Sequence, residues 1–332
     1  MKGKKGFLFL VLISLAGCLL KAQSHFADKT KEAGTKFSIR WVTQFPENPS
    51  ERKITLSERI SGLVFGRKPP EVVKPFNVIA KDLQHFWILD QALGQVIEVE
   101  SGEGQSLKSV QKQGTQLPSL VGICRIPGGD LIFTDSKLGK LFRVNPQKCS
   151  PFAEQQFLDQ PTGIAYSELT GEFWVVETAS HRITVLNSEG EVVKRIGKRG
   201  AGEGSFNFPT FIWIDAGGRI YVVDSMNFRI QIFSKEGNYI GAFGENGDAT
   251  GFMARPKGVA TDSHGNIYVS DALFHAVQIF DKDGNFLSSF GKQGQQAGAF
   301  WMPVGIYVDE ADYIYVADSY NSRVQVFQLV TN

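Results

Sequence analysis

Short apolar runs alternate with turns rich in Gly, Asp and Asn along most of the chain, and the runs return at a fixed distance. Tyr221-Val222-Val223-Asp224, followed by Arg229-Ile230-Gln231-Ile232-Phe233, comes back as Tyr315-Val316-Ala317-Asp318, followed by Arg323-Val324-Gln325-Val326-Phe327. Between them stand Tyr268-Val269-Ser270-Asp271 and Val277-Gln278-Ile279-Phe280. The acidic residue that closes the first run recurs at Asp90, Asp135, Glu177, Asp224, Asp271 and Asp318, at spacings of 45, 42, 47, 47 and 47 residues. A second marker lies upstream, as Pro161-Thr162-Gly163, Pro256-Lys257-Gly258 and Pro303-Val304-Gly305, with the variants Pro75-Phe76-Asn77, Leu120-Val121-Gly122 and Pro209-Thr210-Phe211.

Each period divides into four strands. In the fifth unit the apolar patterning predicts strands at 259–262, 267–270, 277–280 and 286–290. Their turns are Ser263-His264-Gly265-Asn266 and Asp281-Lys282-Asp283-Gly284-Asn285. Asp-Gly and Gly-Asn pairs between β-branched runs supply the positive φ that tight hairpins need. A four-stranded unit of this length cannot bury its own apolar faces, so six copies must pack on one another around an axis. The expectation is an all-β, six-bladed β-propeller. The last unit has sequence for three strands only before the chain stops, so an edge would be left open unless another segment covers it. Residues 37–46, which include Ser38-Ile39-Arg40-Trp41-Val42-Thr43-Gln44-Phe45, have the length and β-forming residues to be the missing outer strand, antiparallel to the strand around Val324–Phe327.

These residues and spacings resemble the NHL-repeat family, whose fold is a six-bladed propeller. The match is strongest in the three C-terminal units and weakest in the first two, which carry Leu93 and Gln95, or Leu138 and Lys140, where the later units have Asn and Arg. The fifth unit departs too, with Phe274 and Ala276.

The N-terminal segment has a different pattern. Lys2, Lys4 and Lys5 precede an apolar stretch, 7–15, too short to span a bilayer as a mature helix. Leu15-Ala16-Gly17-Cys18 resembles a bacterial lipobox. The resemblance implies a signal peptide at 1–17, acylation of Cys18 and a flexible tether over 18–36. An ordinary secretory signal cut after Ala22 is the alternative. The residue after Cys18 is Leu19, not Asp, so outer-membrane attachment is expected in a cell with two membranes. Thr55-Leu56-Ser57-Glu58 reads as a capping box opening a short helix over 55–66. The propeller itself is expected over 37–332.

Composition excludes little beyond nucleic acid. Lys and Arg number 35 against 34 Asp and Glu, so there is no basic field. Apart from Cys18 there are Cys124, expected in an inner strand, and Cys149, expected near an outer turn of the same blade. Strands about 4.8 Å apart leave such residues too distant for a disulfide, so two free thiols are expected, Cys124 buried.

Candidate chemistry divides into regular and irregular positions. An acidic residue is followed five positions later by a cation in Asp135/Lys140, Glu177/Arg182, Asp224/Arg229 and Asp318/Arg323. A group that recurs in every unit is expected to be scaffold, holding a loop corner through hydrogen bonds. This covers Asp90, Asp135, Glu177, Asp224, Asp271, Asp318, Arg182, Arg229 and Arg323. The irregular residues on the same face are the binding candidates: Lys257, Trp301, Met253, Phe208, Thr210, His181 and His275. Phe206 and Phe300 share an offset and are expected to be wedges between blades. The five His residues do not form a repeat-related set of three, no nucleophile motif is present, and Gly197-Lys198-Arg199-Gly200 opens no helix. No cofactor, metal site or catalytic residue is therefore assigned. The reading is a monomeric, non-catalytic binding or scaffold propeller, exported and lipid-anchored at the cell envelope, that recognises a protein or peptide. The alternative is a lactonase- or lyase-like enzyme with a degenerate metal site in the central channel.

Overall fold

The computed structural model describes residues 37–47, 72–101, 105–109, 117–145, 148–153 and 156–331. The expected signal peptide, Cys18, the tether and the helix at 55–66 lie outside the described residues. Within them, six four-stranded antiparallel sheets form six blades.

Blade 6 contains the strand that precedes the others in sequence, β1 (Phe37–Phe45). Blade 1 follows as β2 (Pro75–Asp82), β3 (His85–Asp90), β4 (Gln95–Ser101) and β5 (Gln105–Ser109). Blade 2 is β6 (Leu120–Arg125), β7 (Leu131–Asp135), β8 (Lys140–Val144) and β9 (Cys149–Phe152). Blade 3 is β10 (Pro161–Ser167), β11 (Glu172–Glu177), β12 (Arg182–Leu186) and β13 (Val192–Ile196). Blade 4 is β14 (Pro209–Ile214), β15 (Ile220–Asp224), β16 (Arg229–Phe233) and β17 (Tyr239–Phe243). Blade 5 is β18 (Pro256–Thr261), β19 (Ile267–Asp271), β20 (Ala276–Phe280) and β21 (Phe286–Phe290). Blade 6 is completed by β22 (Pro303–Val308), β23 (Tyr313–Asp318) and β24 (Arg323–Thr331), in the order β1-β24-β23-β22.

The ring is closed by β1, which runs antiparallel to β24 with Phe37 opposite Thr331 and Phe45 opposite Val324. Each first strand starts two or three residues earlier than the apolar run suggests. The marker residue at its head, Pro209, Pro256 or Pro303, pairs with the acidic residue that ends the second strand, Asp224, Asp271 or Asp318.

The first strands of neighbouring blades contact one another around the axis and so line the channel. The marker glycine is demanded by that contact. A Cβ on Gly122 would lie 2.2 Å from the Thr162 carbonyl, and one on Gly305 would lie 2.7 Å from the Asn77 Cα. Side-chain hydroxyls stitch the same seam: Thr134 donates to the Thr162 carbonyl at 2.7 Å, and Thr178 donates to the Pro209 carbonyl at 2.7 Å. Between blades, alternate residues of the second and third strands pack as apolar clusters, such as Val222, Phe233, Trp174 and Phe206 at the junction of blades 3 and 4. Cys124 is buried, Cys149 is half-buried, and both are free.

Candidate functional site

Two kinds of connection share one end of the blades: the turn from second to third strand, and the crossing from the fourth strand to the next blade's first. Both are built around the recurrent carboxylate. Asp224 is fully buried. It accepts hydrogen bonds from the Asn207 backbone N–H, Asn227 Nδ2, Arg229 Nε and Gln231 Nε2, at 2.7 to 3.0 Å. Asp318 repeats the set with Trp301 N–H, Asn321, Arg323 and Gln325. Glu177 accepts from Arg182, Thr184 and the Asp159 N–H. Asp90, Asp135 and Asp271 accept backbone N–H groups from both connections, as in Val73 and Leu93 on Asp90, or Ser119 and Leu138 on Asp135. Burial pushes the Glu177 carboxyl up, but its donors outweigh that and hold it below the usual carboxylate range. At Asp318 burial prevails and the carboxyl stands above that range. The Gln two residues after Arg has a role the sequence did not disclose. Gln231 and Gln325 each grip the crossing loop through a backbone N–H and a carbonyl.

The irregular residues separate into those that face solvent and those that do not. Met253 is a correction: it is fully buried. Asn246 and Met253 form the same parallel bridge as Arg199 with Phe206 and Gln293 with Phe300, so Met253 is the wedge of its unit. The shared offset was hidden because the residue type changes from Phe to Met.

His181 and His275 hold the loops from behind. His181 Nδ1 accepts the Phe208 N–H at 3.1 Å and its ring lies 4.5 Å from that of Phe208. His275 Nδ1 accepts the Met302 N–H at 3.1 Å. Phe208 and Met302 both have positive φ, 48° and 58°, so each histidine braces a strained corner.

Lys257, Phe208 and Thr210 come together in a pocket of about 520 Å³ between blades 4 and 5, with Ser225, Met226, Phe228 and Arg255. Phe208 and Met226 are 42% and 53% exposed, which makes the walls apolar and accessible. Thr210 and Ser225 bond to each other at 2.6 Å. Lys257 forms neither a hydrogen bond nor a salt bridge among the described residues. Burial holds its ammonium below the usual lysine range, Arg255 lowers it further, and Asp271 opposes both. An incompletely solvated cation beside apolar walls is a ready partner for a carboxylate or phosphate. Arg255, Met226 and Phe228 were not singled out from the sequence; they occupy loop positions whose residue type varies between blades.

Trp301 is 40% exposed, and its ring is tilted against that of Tyr320, centroids 6.0 Å apart; Tyr320 is 57% exposed. The turn from second to third strand, which carries Tyr320, holds an exposed apolar residue in other blades too: Leu93, Leu138, Met226 and Leu273. The face is thus studded with apolar side chains at blade spacing.

Among the described residues, the one group of three His, Cys, Asp or Glu side chains whose ligand atoms converge is His85, Glu98 and Glu100, within 4.8 Å of one another. Its residues belong to β3 and β4 of blade 1, and none of them is on a channel-lining first strand.

Comparisons with known proteins agree with this architecture. Residues 300–327 match the NHL repeat model, and residues 157–241 match a 6-bladed beta-propeller model. No curated protein matches the chain in sequence. An auxiliary nutrient binding protein from Bacteroides thetaiotaomicron is 13% identical and superposes with a TM-score of 0.62 over 78% of this chain and 69% of its own. Virginiamycin B lyase from Staphylococcus aureus, solved with quinupristin, is 12% identical, with a TM-score of 0.59 over 79% and 97%. A gluconolactonase from Xanthomonas campestris is 13% identical, with a TM-score of 0.58 over 79% and 89%. At such identity the likeness is one of fold. The chain is a six-bladed β-propeller, with an NHL repeat matched at residues 300–327.

Proposed function

We propose that the protein is a binding module whose loop face captures a protein or peptide at the cell envelope. The observation that carries this reading is the pocket between blades 4 and 5. Lys257, largely enclosed and without a salt-bridge partner among the described residues, stands between the exposed walls Phe208 and Met226. Aromatic and Met anchors beside an unpaired cation are the composition of a recognition patch. The apolar residues at blade spacing extend it across the face. A catalytic reading would need ligands or a nucleophile converging at the channel, and no observation on the described residues favours it over binding.

The test is a photo-crosslinking side chain at position 226, in living cells. It should yield a discrete protein adduct. The same side chain at Leu169, on the opposite face and 60% exposed, should not. Equal adducts from both positions, or none from 226, would reject the loop face as the docking surface.

Attachment to the envelope is proposed from Leu15-Ala16-Gly17-Cys18. Among the described residues no helix is long and apolar enough to cross a membrane. Cys18→Ser should release the protein from membranes, because the thiol is the atom that would be acylated. Labelled fatty acid failing to enter the wild-type protein would rule the anchor out.

A further inference from the structure

A second cavity opens on the opposite face, where the first and second strands of each blade are joined by hairpins. It is the lower channel, about 670 Å³, and it reaches up to the neck at Gly163. Its lining includes four aromatic residues, Phe211 near the neck and Tyr166, Trp213 and Tyr307. Trp213 and Tyr307 come from blades 4 and 6 and meet edge to face across blade 5, with ring centroids 5.2 Å apart. Trp213 is fixed there by its Nε1, which donates to Thr261 Oγ1 of blade 5 at 2.9 Å.

The charge at this end is lopsided. The lining holds one cation, Arg125, and five carboxylates. Three of these close the hairpins and are bonded within them. Asp215 accepts from Arg219 N–H and Tyr221 Oη, Asp262 from Asn266 N–H and Tyr268 Oη, and Asp309 from Tyr313 N–H and Tyr315 Oη. The other two, Glu168 and Glu310, are exposed at the rim, and among the described residues neither has a salt-bridge partner. Tyr307 is a second group at this end without a protein partner. The residue is half-buried and lines the cavity, and its Oη has no hydrogen-bond partner among the described residues. Burial pushes this phenol up to about 12; Arg125 draws it down, while Asp309, Glu310 and Glu168 push it further up. It therefore stays protonated at neutral pH, with a lone pair free to accept.

We propose that this lower channel is a binding site for a small organic cation, an amine or quaternary ammonium, held against the faces of Trp213, Tyr166 and Tyr307 under the carboxylates of Glu168 and Glu310. Aromatic faces attract cations through the ring quadrupole, more strongly when the cation is desolvated. A concave wall of one dominant sign focuses the field and raises the local concentration of opposite charge. Apolar lining from Ile164, Ile212 and Val308 suits the carbon body of such a ligand. The site is separate from the loop face, so neither reading depends on the other.

The experiment uses the full-length protein, titrated with tetramethylammonium and with putrescine and followed by tryptophan fluorescence and calorimetry; acetate and glucose serve as comparisons. Saturable binding of the two cations, lost in signal with Trp213→Phe, is expected. The double variant Glu168→Gln/Glu310→Gln changes only exposed side chains and should weaken binding about fivefold or more. Arg125→Gln should strengthen it by removing the one repulsive charge. Affinity for the two cations that falls in Arg125→Gln, or acetate binding that is lost in it, would show that Arg125 serves the ligand rather than repelling it and overturn the proposal. So would acetate or glucose binding as well as the cations, no saturation by either cation up to about 10 mM, or an unchanged affinity in the double variant.

Discussion

A chain lacking residues 37–46 should lose the propeller's cooperative fold. β1 supplies the fourth strand of blade 6, and its loss exposes all of β24 along one edge. The strand also brings its own core. Ile39 and Phe45 are 4% and 2% exposed. Ile39 packs with Phe290, Phe300 and Phe327 at the junction of blades 5 and 6, while Phe45 packs with Val78, Phe86 and Tyr315 at the junction of blades 6 and 1. Polar contacts add to the register: Trp41 Nε1 donates to Gln325 Oε1 at 3.1 Å, Arg40 donates to Gln328, and Arg323 donates to Gln44 Oε1 at 2.8 Å. Removing a buried Phe side chain alone costs about 3–5 kcal/mol. Ile39 and the lost pairing bring the total to roughly 5–10 kcal/mol, as much as a typical domain has in all. The expected result is no sharp thermal transition by circular dichroism. A transition at the wild-type temperature would show that β1 is not the clasp.

The second large effect is expected at Asp318. Asp318→Ala removes the acceptor shared by Trp301 N–H, Asn321, Arg323 and Gln325. Arg323 is 6% exposed, so its guanidinium would stay buried without its carboxylate. It keeps the carbonyls of Gln296 and Ala299 and the amide oxygen of Gln44, which limits the loss. The net cost should be about 2–3 kcal/mol, a fall in melting temperature of roughly 3–5 °C for a fold of this size. A variant that melts with the wild type would contradict the scaffold role.

The parts of this molecule that were legible in the sequence are those that recur. Asp224, Asp271 and Asp318 repeat at constant spacing because each blade must turn the same corner. Gly122, Gly258 and Gly305 repeat because neighbouring first strands touch there and leave no room for a Cβ. The clasp was legible by counting strands in the last unit. Met253 was misjudged because a wedge can be any large apolar residue, so its type varied while its place did not. His181 and His275 could be placed side by side in the repeat, but not as acceptors for the N–H of a positive-φ residue one blade on, since backbone geometry leaves no mark in composition. The lower channel was illegible for a different reason. Trp213 and Tyr307 hold equivalent strand positions two blades apart, and only ring closure brings them into contact. Lys257 could be singled out because it breaks its column, but its pocket partners Met226 and Arg255 belong to two different blades.

The central claim is that the repeated carboxylates build the loop face and the irregular residues upon it do the binding. It is tested by measuring melting temperature and partner capture on the same samples of Lys257→Ala, Trp301→Ala and Asp318→Ala, with crosslinked envelopes as the source of partner. Truncating Trp301 leaves its backbone N–H on Asp318 intact, and Lys257 has no hydrogen bond to lose among the described residues. The account predicts that Lys257→Ala and Trp301→Ala keep the wild-type melting temperature within about 1 °C and lose most of the captured partner, while Asp318→Ala melts early. If Trp301→Ala unfolds the protein while Asp318→Ala melts normally and captures nothing, the two sets of residues have the opposite roles.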